Sequence, residues 1–307
     1  MSRLEEITRR HPVRKTPEQK EAFLRYAQSE MKKLGYAARV EENGRHRNLV
    51  AGDPETAEIL FTAHYDTPAN KLLSIPLLPR NLPLFLLAHL GVILLLFLLS
   101  FGVAYLCFLL TRQRGLTLPV FLLAYYALLM LLVAGPANRH NVNGSTGVAA
   151  VLELMERLPE DCRDQAAFIL FDNGEKGRLG SRAYAARHPD IKKRTPVFHM
   201  ECVGVGDHLL VGVKNFARAT YPYADLQRSL SAHSGMETHF FPSSGFLVPS
   251  DHQSFRCGMC AVACRKRPLA GFYTPGLDTA RDTQARQENI DFLTQALTDV
   301  VKTLAEN

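Results

Sequence analysis

The stretch AAFILFDNGEKGRLGSRAYAAR, residues 166–187, decides the fold class. Its first six residues form an unbroken apolar run, which is typical of a strand buried on both faces. A polar, glycine-containing loop follows, and the last nine residues favour a helix. A doubly buried strand that leads into a helix is the repeating unit of layered α/β proteins, so the stretch predicts this class.

The same alternation extends towards both ends of the chain. Thr16 predicts a helix N-cap, because Pro17 occupies the first helical position and Gln19 completes a capping box. Further helices are predicted at 17–34, 146–158, 223–232 and 288–304, and further strands at 37–42, 47–51, 58–63, 196–203, 209–213, 237–241 and 259–264. The pattern predicts an α/β fold with a doubly wound mixed sheet and helices on both faces.

Two apolar segments, near residues 82–110 and 116–134, interrupt this pattern. The first, LPLFLLAHLGVILLLFLLSFGVAYLCFLL, has no charged residue and is long enough to cross a bilayer; the second, LTLPVFLLAYYALLMLLV, is near the lower limit. Two buried core helices are the alternative, but such helices keep a polar face, which neither segment has. We therefore predict a transmembrane helical hairpin, residues 81–135, between two parts of one soluble domain, 1–80 and 136–307.

The distribution of charge bears on location and partners. The N-terminus, MSRLEEITRRHPVRK, lacks the apolar core of a signal peptide, so we expect an integral membrane protein whose soluble domain is cytoplasmic. The formal net charge is +6, but the basic residues are scattered and no nucleic-acid-binding motif accompanies them. We interpret the small basic clusters, 9–15, 192–194 and 265–267, as solvated surface that favours an anionic membrane. No nucleic-acid partner is expected.

Three of the six cysteines form the run CGMCAVAC, with Cys257, Cys260 and Cys264. The spacing could bind a metal ion, but a fourth ligand is not evident nearby. The alternation of small and apolar residues favours a buried strand that carries reduced thiols.

Several residues that can bind a cation follow predicted strands or precede predicted helices. In doubly wound folds, functional residues collect in the loops beyond the carboxyl ends of the strands. His64 ends a strand, and Asp66 lies where a carboxylate could orient a metal-binding imidazole. The other candidates are residues 141–146, 172–175, Glu201, Asp251, His252 and Asp278.

The order of these motifs resembles the zinc aminopeptidases of the bacterial leucyl aminopeptidase type, in peptidase clan MH. The corresponding segments are HYDTPA (64–69), NGSTGVAAVLEL (143–154), FDNGEKGRLGS (171–181), ECVG (201–204), PSDHQSF (249–255) and LDTARDT (277–283). The resemblance covers the soluble part from about Arg47 onward, and a subset of bacterial relatives carries a membrane hairpin at the same place. It implies an α/β fold, paired metal ions and metal-dependent hydrolysis of peptide bonds.

Three site positions of the family are unchanged. The resemblance implies that His64 and Glu175 bind metal and that Asp66 assists catalysis beside His64. Glu201 stands in the place of an aspartate ligand, which is a conservative change.

Three other positions differ in ways that affect chemistry. Asn143 replaces the aspartate that bridges the two metals, and a neutral amide would hold two cations poorly. Asp278 replaces a histidine ligand and favours harder metals. Gly174 replaces the glutamate that acts as general base, a contribution typically worth ~10²–10⁴ in rate.

These substitutions leave three hypotheses open. In the first, the chain is a membrane-anchored pseudoenzyme that retains the peptidase fold and hydrolyses weakly or not at all. It then binds a peptide or protein, or acts through the membrane hairpin as a partner or scaffold. In the second, it is an active membrane metallopeptidase with one metal at His64, Glu175, Glu201 and Asp278, and His252 or a carboxylate serves as base. The third, a purely structural membrane protein, conflicts with the retained motifs. We favour the first and expect at most one tightly bound zinc or other divalent ion per chain.

Overall fold

The computed structural model describes residues 1–70, 75–133, 135 and 137–306. The strands are β1 (Ala38–Asn43), β2 (His46–Ala51), β3 (Ile59–His64), β4 (Ala166–Phe171), β5 (Val197–Met200), β6 (His208–Val213), β7 (Glu237–Pro242), β8 (Gly258–Arg267) and β9 (Gly271–Tyr273). The helices are α1 (Arg3–Arg10), α2 (Pro17–Lys33), α3 (Leu82–Thr111), α4 (Thr117–Val133), α5 (Thr146–Arg157), α6 (Leu179–Arg187), α7 (Pro189–Arg194), α8 (Tyr221–Ala232) and α9 (Gln287–Ala305).

The strands form one mixed sheet in the order β1-β2-β4-β3-β5-β8-β6-β7, and β9 pairs with β8. The central strands β4, β3, β5 and β8 are parallel to one another, whereas β1, β2 and β6 introduce antiparallel pairs. Alternate residues of the central strands point to opposite faces. Phe61 and Phe168 join a core with α2, α5 and α9, whereas Leu60 and Ile169 join a second core with α6 and α7. The predicted mixed sheet with helices on both faces is confirmed.

The parallel register brings three strand ends to one edge of the sheet. His64 is paired with Phe171, so the loops that follow β3 and β4 leave the sheet side by side. Strand β5 lies on the other side of β3 and ends at Met200, directly before Glu201. Strand pairing therefore places the loops with His64, Gly174 and Glu201 together.

Most element boundaries agree with the sequence predictions to within a few residues, and β4 and α6 agree at both ends. The capping box of α2, with Thr16 and Gln19, is present. Helix α1, helix α7 and strand β9 were not predicted, and the strand predicted at 196–203 is shorter. The three clustered cysteines are buried on or beside β8 and are free thiols, as the strand interpretation predicts.

Interpreting residues 9–15 as solvated surface is wrong for Arg14, whose side chain is fully buried. Its guanidinium donates to the carbonyls of Tyr65 and His11 and to the Ser145 hydroxyl. Burial lowers the pKa of Arg14 to about 10, and the nearby carboxylate of Asp66 opposes that shift. Arg14 therefore remains a cation at neutral pH and ties the N-terminal segment to the loop that carries Asp66.

The apolar helices α3 and α4 pack on each other and are joined by a short 3-10 helix, Arg114–Leu116. Both are long and apolar enough to cross a membrane. The most hydrophobic 18-residue windows are only 17% and 0% buried, which contradicts the alternative of two buried core helices. Most of their leucines are half exposed or more.

The base of this hairpin is fastened to the α/β domain on both sides. Ala69 and Ala137 form an isolated antiparallel bridge where the chain leaves and re-enters the domain. Arg80 donates to the carbonyl of Gly245 at 3.1 Å, and its guanidinium lies 4.6 Å from the ring centroid of Phe241. These contacts fix the residues before α3 against β7 and the loop that follows it.

Arg14 offers a test of this account of the core. We expect Arg14→Met to lower the free energy of unfolding by about 2–4 kcal/mol, because it removes the guanidinium donor from the buried Tyr65 carbonyl and Ser145 hydroxyl and from the half-buried His11 carbonyl. Arg10→Met is the matched control, since Arg10 is exposed and pairs only with Glu6 one turn away. We expect it to cost less than about 0.5 kcal/mol. Urea unfolding of the two variants measures the difference, and equal effects would contradict the organising role of Arg14.

Candidate active site

The Asp66 carboxylate joins the loops that follow β3 and β4. It accepts hydrogen bonds from the backbone N–H groups of Gly174, at 2.7 Å, and Glu175, at 3.2 Å. Its Oδ1 also lies 3.3 Å from His64 Nδ1. Burial favours the neutral acid, but the nearby His64 outweighs it and holds the pKa of Asp66 below its ordinary value. Asp66 therefore lies beside His64, and the two backbone hydrogen bonds that it accepts position residue 174.

The opposite nitrogen of His64 faces Glu201. The Nε2 atom is 3.3 Å from Glu201 Oε1, and the other oxygen of this carboxylate is 3.1 Å from Nε2 of His199. His199 is fully buried, and its Nδ1 lies 3.0 Å from the hydroxyl of Thr62. The result is a continuous chain of groups, Asp66–His64–Glu201–His199.

Sequence analysis missed His199, although the signal was present. His199 lies in β5 and Glu201 follows directly after this strand, two residues on, so both side chains lie on the same side and contact each other. A strand that ends in a candidate ligand can therefore supply a second polar side chain two residues earlier.

The charges of Asp66, His64 and Glu201 alternate along this series of contacts. Burial alone would lower the pKa of His64, but the carboxylates of Glu201 and Asp66 raise it well above 6.5. The pKa of Glu201 is held below its ordinary value, because the two histidines more than offset the effect of burial. An imidazolium therefore lies between two carboxylates and balances much of their charge.

Gly174, at the position of the family's general base, packs directly on His64. A Cβ atom added to Gly174 would lie 2.5 Å from the Cβ and Cγ atoms of His64. No side chain fits at residue 174 while His64 keeps this position. The absent base and the observed position of His64 are therefore linked.

Asn143 has structural contacts that a bridging metal ligand could not share. The side-chain oxygen of Asn143 accepts from the backbone N–H of Gly204 at 3.0 Å. The backbone N–H of Asn143 donates to the Asp282 carboxylate at 2.7 Å. Among the described residues, its buried Nδ2 has no hydrogen-bond partner. Burial raises the pKa of Asp282, which the sequence analysis missed, to about 7. Asn143 and Asp282 thus hold the start of α5.

The structure does not bring His252 to the same cavity as His64. The imidazole is fully buried in the short 3-10 helix before β8, and its Nδ1 lies 3.0 Å from the Ser250 hydroxyl. Burial lowers the pKa of His252 to about 3. Its assignment as a replacement base has no support in this geometry.

One cavity of about 890 Å³ collects the remaining candidates. Its polar end is lined by the carboxylates of Asp66, Glu175, Glu201 and Asp278, by His64, and by Lys15, Lys20 and Lys176. Helices α3 and α4 form its other wall. A larger cavity of about 1260 Å³ lies between α1 and residues 275–287, but it contains neither His64 nor Glu201. The smaller cavity therefore holds the candidate active site.

The donor set does not fit a preassembled metal centre. Among residues 1–70, 75–133, 135 and 137–306, no three of the cavity's candidate ligands bring their ligand atoms within 4.8 Å of one another. His64 and Glu201 instead bind each other, so a metal could use them only after that pair separates. Within the same ranges, the trio that does converge is His208, Glu237 and His239 on β6 and β7, away from the cavity.

Comparisons with known proteins agree with the fold. Residues 143–288, just under half of the chain, match the model of Peptidase family M28. This match includes the positions of Asn143, Gly174, Glu175, Glu201 and Asp278, but it does not reach His64 or Asp66. No curated protein sequence matched the chain.

Solved structures show the same architecture. Glutaminyl cyclase from Porphyromonas gingivalis aligns with a TM-score of 0.61 and 14% identity over 99% of this chain and 97% of its own. LapA aminopeptidase from Legionella pneumophila aligns with a TM-score of 0.59 and 12% identity over 99% of this chain and 70% of its own. A leucine aminopeptidase precursor from Bacteroides thetaiotaomicron aligns with a TM-score of 0.57 and 13% identity over 97% of this chain and 93% of its own. The aminopeptidase-like α/β fold is therefore confirmed, and at these identities the likeness establishes the fold alone.

The ion-pair chain predicts a specific dependence of stability on pH. The pKa of His64 is raised in the folded state, so its contribution is complete below pH 6.5 and is lost as the pH rises through the folded value. The pKa of Glu201 is lowered, so its contribution is present above pH 4.5 and is lost as the pH falls through the folded value. The stabilising contributions of His64 and Glu201 are therefore both present between pH 4.5 and pH 6.5.

We therefore expect Glu201→Gln to destabilise the protein most between pH 5 and 6. The expected loss is about 2–3 kcal/mol, below the range for a fully buried pair because the Glu201 side chain is 19% exposed. Glu55→Gln is the control, since Glu55 pairs with His188 at 3.1 Å and is 58% exposed. It should cost less than about 1 kcal/mol. Thermal unfolding from pH 4 to 9 measures both, and a pH-independent loss in Glu201→Gln would contradict the charge assignment.

Proposed function

We propose that this chain is a membrane-anchored member of peptidase family M28 that binds a peptide or protein segment and has lost most or all hydrolytic activity. The main support is the position of His64. Its two ring nitrogens lie 3.3 Å from the carboxylates of Asp66 and Glu201, and its side chain fills the space beside Gly174. The position of the general base in the resembled family is a glycine here. Two of the metal-binding positions, His64 and Glu201, are paired with each other.

The family assignment is supported by two independent findings. The match to Peptidase family M28 covers the second part of the domain, and the structural likeness covers nearly the whole chain. The HYDTPA segment, outside the matched range, lies at the strand end where the resemblance places it. Together these findings favour membership over a chance likeness of fold.

Membrane anchoring is supported by the exposure of α3 and α4. A soluble domain rarely exposes so much contiguous apolar surface, because its transfer out of water is favourable. The two helices are joined by a short turn with Arg112 and Arg114, and both ends of the hairpin return to the domain. A hairpin places both parts of the domain on one side of the bilayer, and we propose the cytoplasmic side.

A single-metal peptidase is the second candidate function, and one observation favours it. Glu175 and Asp278 line the same cavity as His64 and Glu201, so four potential donors surround one volume. A bound zinc would act as a Lewis acid there. The present geometry does not assemble those donors, and Gly174 leaves no base beside them, so we rank this function second.

Hydrolysis of an aminoacyl reporter distinguishes the two candidates. We expect full-length wild type to show no chelator-sensitive turnover of leucine p-nitroanilide with added zinc. Glu175→Gln, the matched control for a metal ligand, should give the same background rate. Gly174→Glu should also be inactive, because its side chain overlaps His64. Turnover that is removed both by chelator and by Glu175→Gln would overturn the proposed loss of activity.

Removal of the hairpin tests the anchoring. We expect the full chain to sediment with membranes and to need detergent for extraction. A variant in which residues 82–134 are replaced by a short flexible linker should be soluble and folded, because Arg80 and Asn81 keep their contacts with the domain. Circular dichroism and a melting temperature within about 3 °C of the full chain would establish the fold, this shift being about 1 kcal/mol for a domain of this size. A full chain that stays in the aqueous fraction without detergent contradicts the anchoring.

A further inference from the structure

The wall of the candidate active-site cavity includes one face of the apolar hairpin. On α3 the lining residues are Phe85, His89, Val92 and Leu96, with one neighbour, Ile93; on α4 they are Tyr125, Leu129 and Leu132. Apart from Ile93, successive lining residues are four, three and four positions apart on α3 and four and three positions apart on α4. These spacings place them on one face of each helix. Although both helices are apolar all round, they present a defined face to the cavity.

The exposure of neighbouring residues separates this face from the rest of the hairpin. Leu96 is buried and Leu129 is half-buried, whereas Leu98 and Leu131, two positions further on, are each more than half exposed. Two residues correspond to a rotation of about 200° around a helix of 3.6 residues per turn. Leu96 and Leu129 thus face the cavity, and Leu98 and Leu131 face away from it.

Helix lengths place this wall at the membrane. Helix α4 has 17 residues and is about 26 Å long, which is slightly less than the roughly 30 Å hydrocarbon core of a bilayer. If α4 spans the membrane, it has no surplus length outside, so Leu129 and Leu132 lie within the bilayer or at its edge. Helix α3 has 30 residues and is about 45 Å long, so its first ten residues or so can extend beyond the hydrocarbon core.

The cavity is therefore divided into a polar end and an apolar end. Carboxylates, lysines and His64 line the polar end, and the hairpin face lines the other. Its volume of about 890 Å³ is at the upper end of the ~300–1,000 Å³ typical of ligand sites. An occupant that matches both ends must be amphiphilic.

We propose that the cavity takes an apolar peptide segment that enters from the bilayer, with its apolar side chains against the hairpin face and its polar end at the carboxylates. This rests on the proposed function, since it assumes both the anchoring and the binding of a peptide. It adds the substrate class and assigns the hairpin a second role, as part of the binding site. A soluble, polar peptide would leave the apolar wall without a partner.

Binding to the full chain in phosphatidylcholine nanodiscs tests the proposal. The probes are two fluorescent peptides of equal length and charge, one rich in leucine and valine and the other with serine and glycine in those positions. We expect the apolar peptide to bind at least tenfold more tightly. Leu129→Ser should weaken that binding at least fivefold, and the matched variant Leu131→Ser should change it less than twofold. Equal binding of both peptides, or equal effects of both variants, would overturn the proposal.

A labelling experiment keeps the test decisive if Leu129→Ser does not fold. A diazirine-bearing apolar peptide, activated on the wild-type chain in the same nanodiscs, should label the hairpin segments 85–96 and 125–132. Labelling confined to other segments, or none at all, contradicts the proposal. If the wild-type chain does not enter nanodiscs, the anchoring itself has failed; if it enters and the apolar peptide gains no advantage, only this inference fails.

Discussion

The imidazole of His64 lies between two carboxylates that come from different loops, and the candidate site is arranged around it. The Asp66 carboxylate lies 3.3 Å from Nδ1 and, by accepting from two backbone N–H groups, also fixes the loop that follows β4. Glu201 binds Nε2 and is shared with the buried His199. Because Nε2 is paired with Glu201, a metal could use this nitrogen only if a buried ion pair is broken, which is costly.

Much of this arrangement could be predicted from the sequence. Continuous apolar runs such as Ala166–Phe171 define buried parallel strands, and the residues that follow them must meet at one edge of the sheet. That reasoning placed His64, Asp66, Glu175 and Glu201 near one another. The altered positions Asn143 and Gly174 were also visible, because the motifs around them are intact.

The remaining features depend on contacts between distant segments. The buried Arg14 lies in a basic run that resembles solvated surface, and only its bonds to Tyr65 and Ser145 distinguish it. Asp282 acts through the backbone of Asn143, which leaves no local signature. Likewise, an apolar hairpin predicts membrane crossing by composition, but composition cannot show which of its faces meets the domain. That face is a property of the tertiary structure.

We propose that the hairpin and the ion-pair chain together adapt this fold to binding rather than to hydrolysis. A cavity that no longer assembles metal ligands keeps its shape, because Asp66, Asn143 and Arg14 use their hydrogen bonds for structure. The apolar wall adds a binding surface that a soluble relative of the same fold would not need.

The number of zinc ions bound per chain tests most directly whether His64 has replaced a metal in balancing the cavity's carboxylates. The full-length protein should carry His239→Gln, because the surface trio of His208, Glu237 and His239 could bind an ion of its own. After dialysis against zinc and removal of free metal, elemental analysis should find at most one ion per chain. Two zinc ions per chain, with one or both lost in Glu201→Gln, would contradict the account and establish an intact two-metal centre.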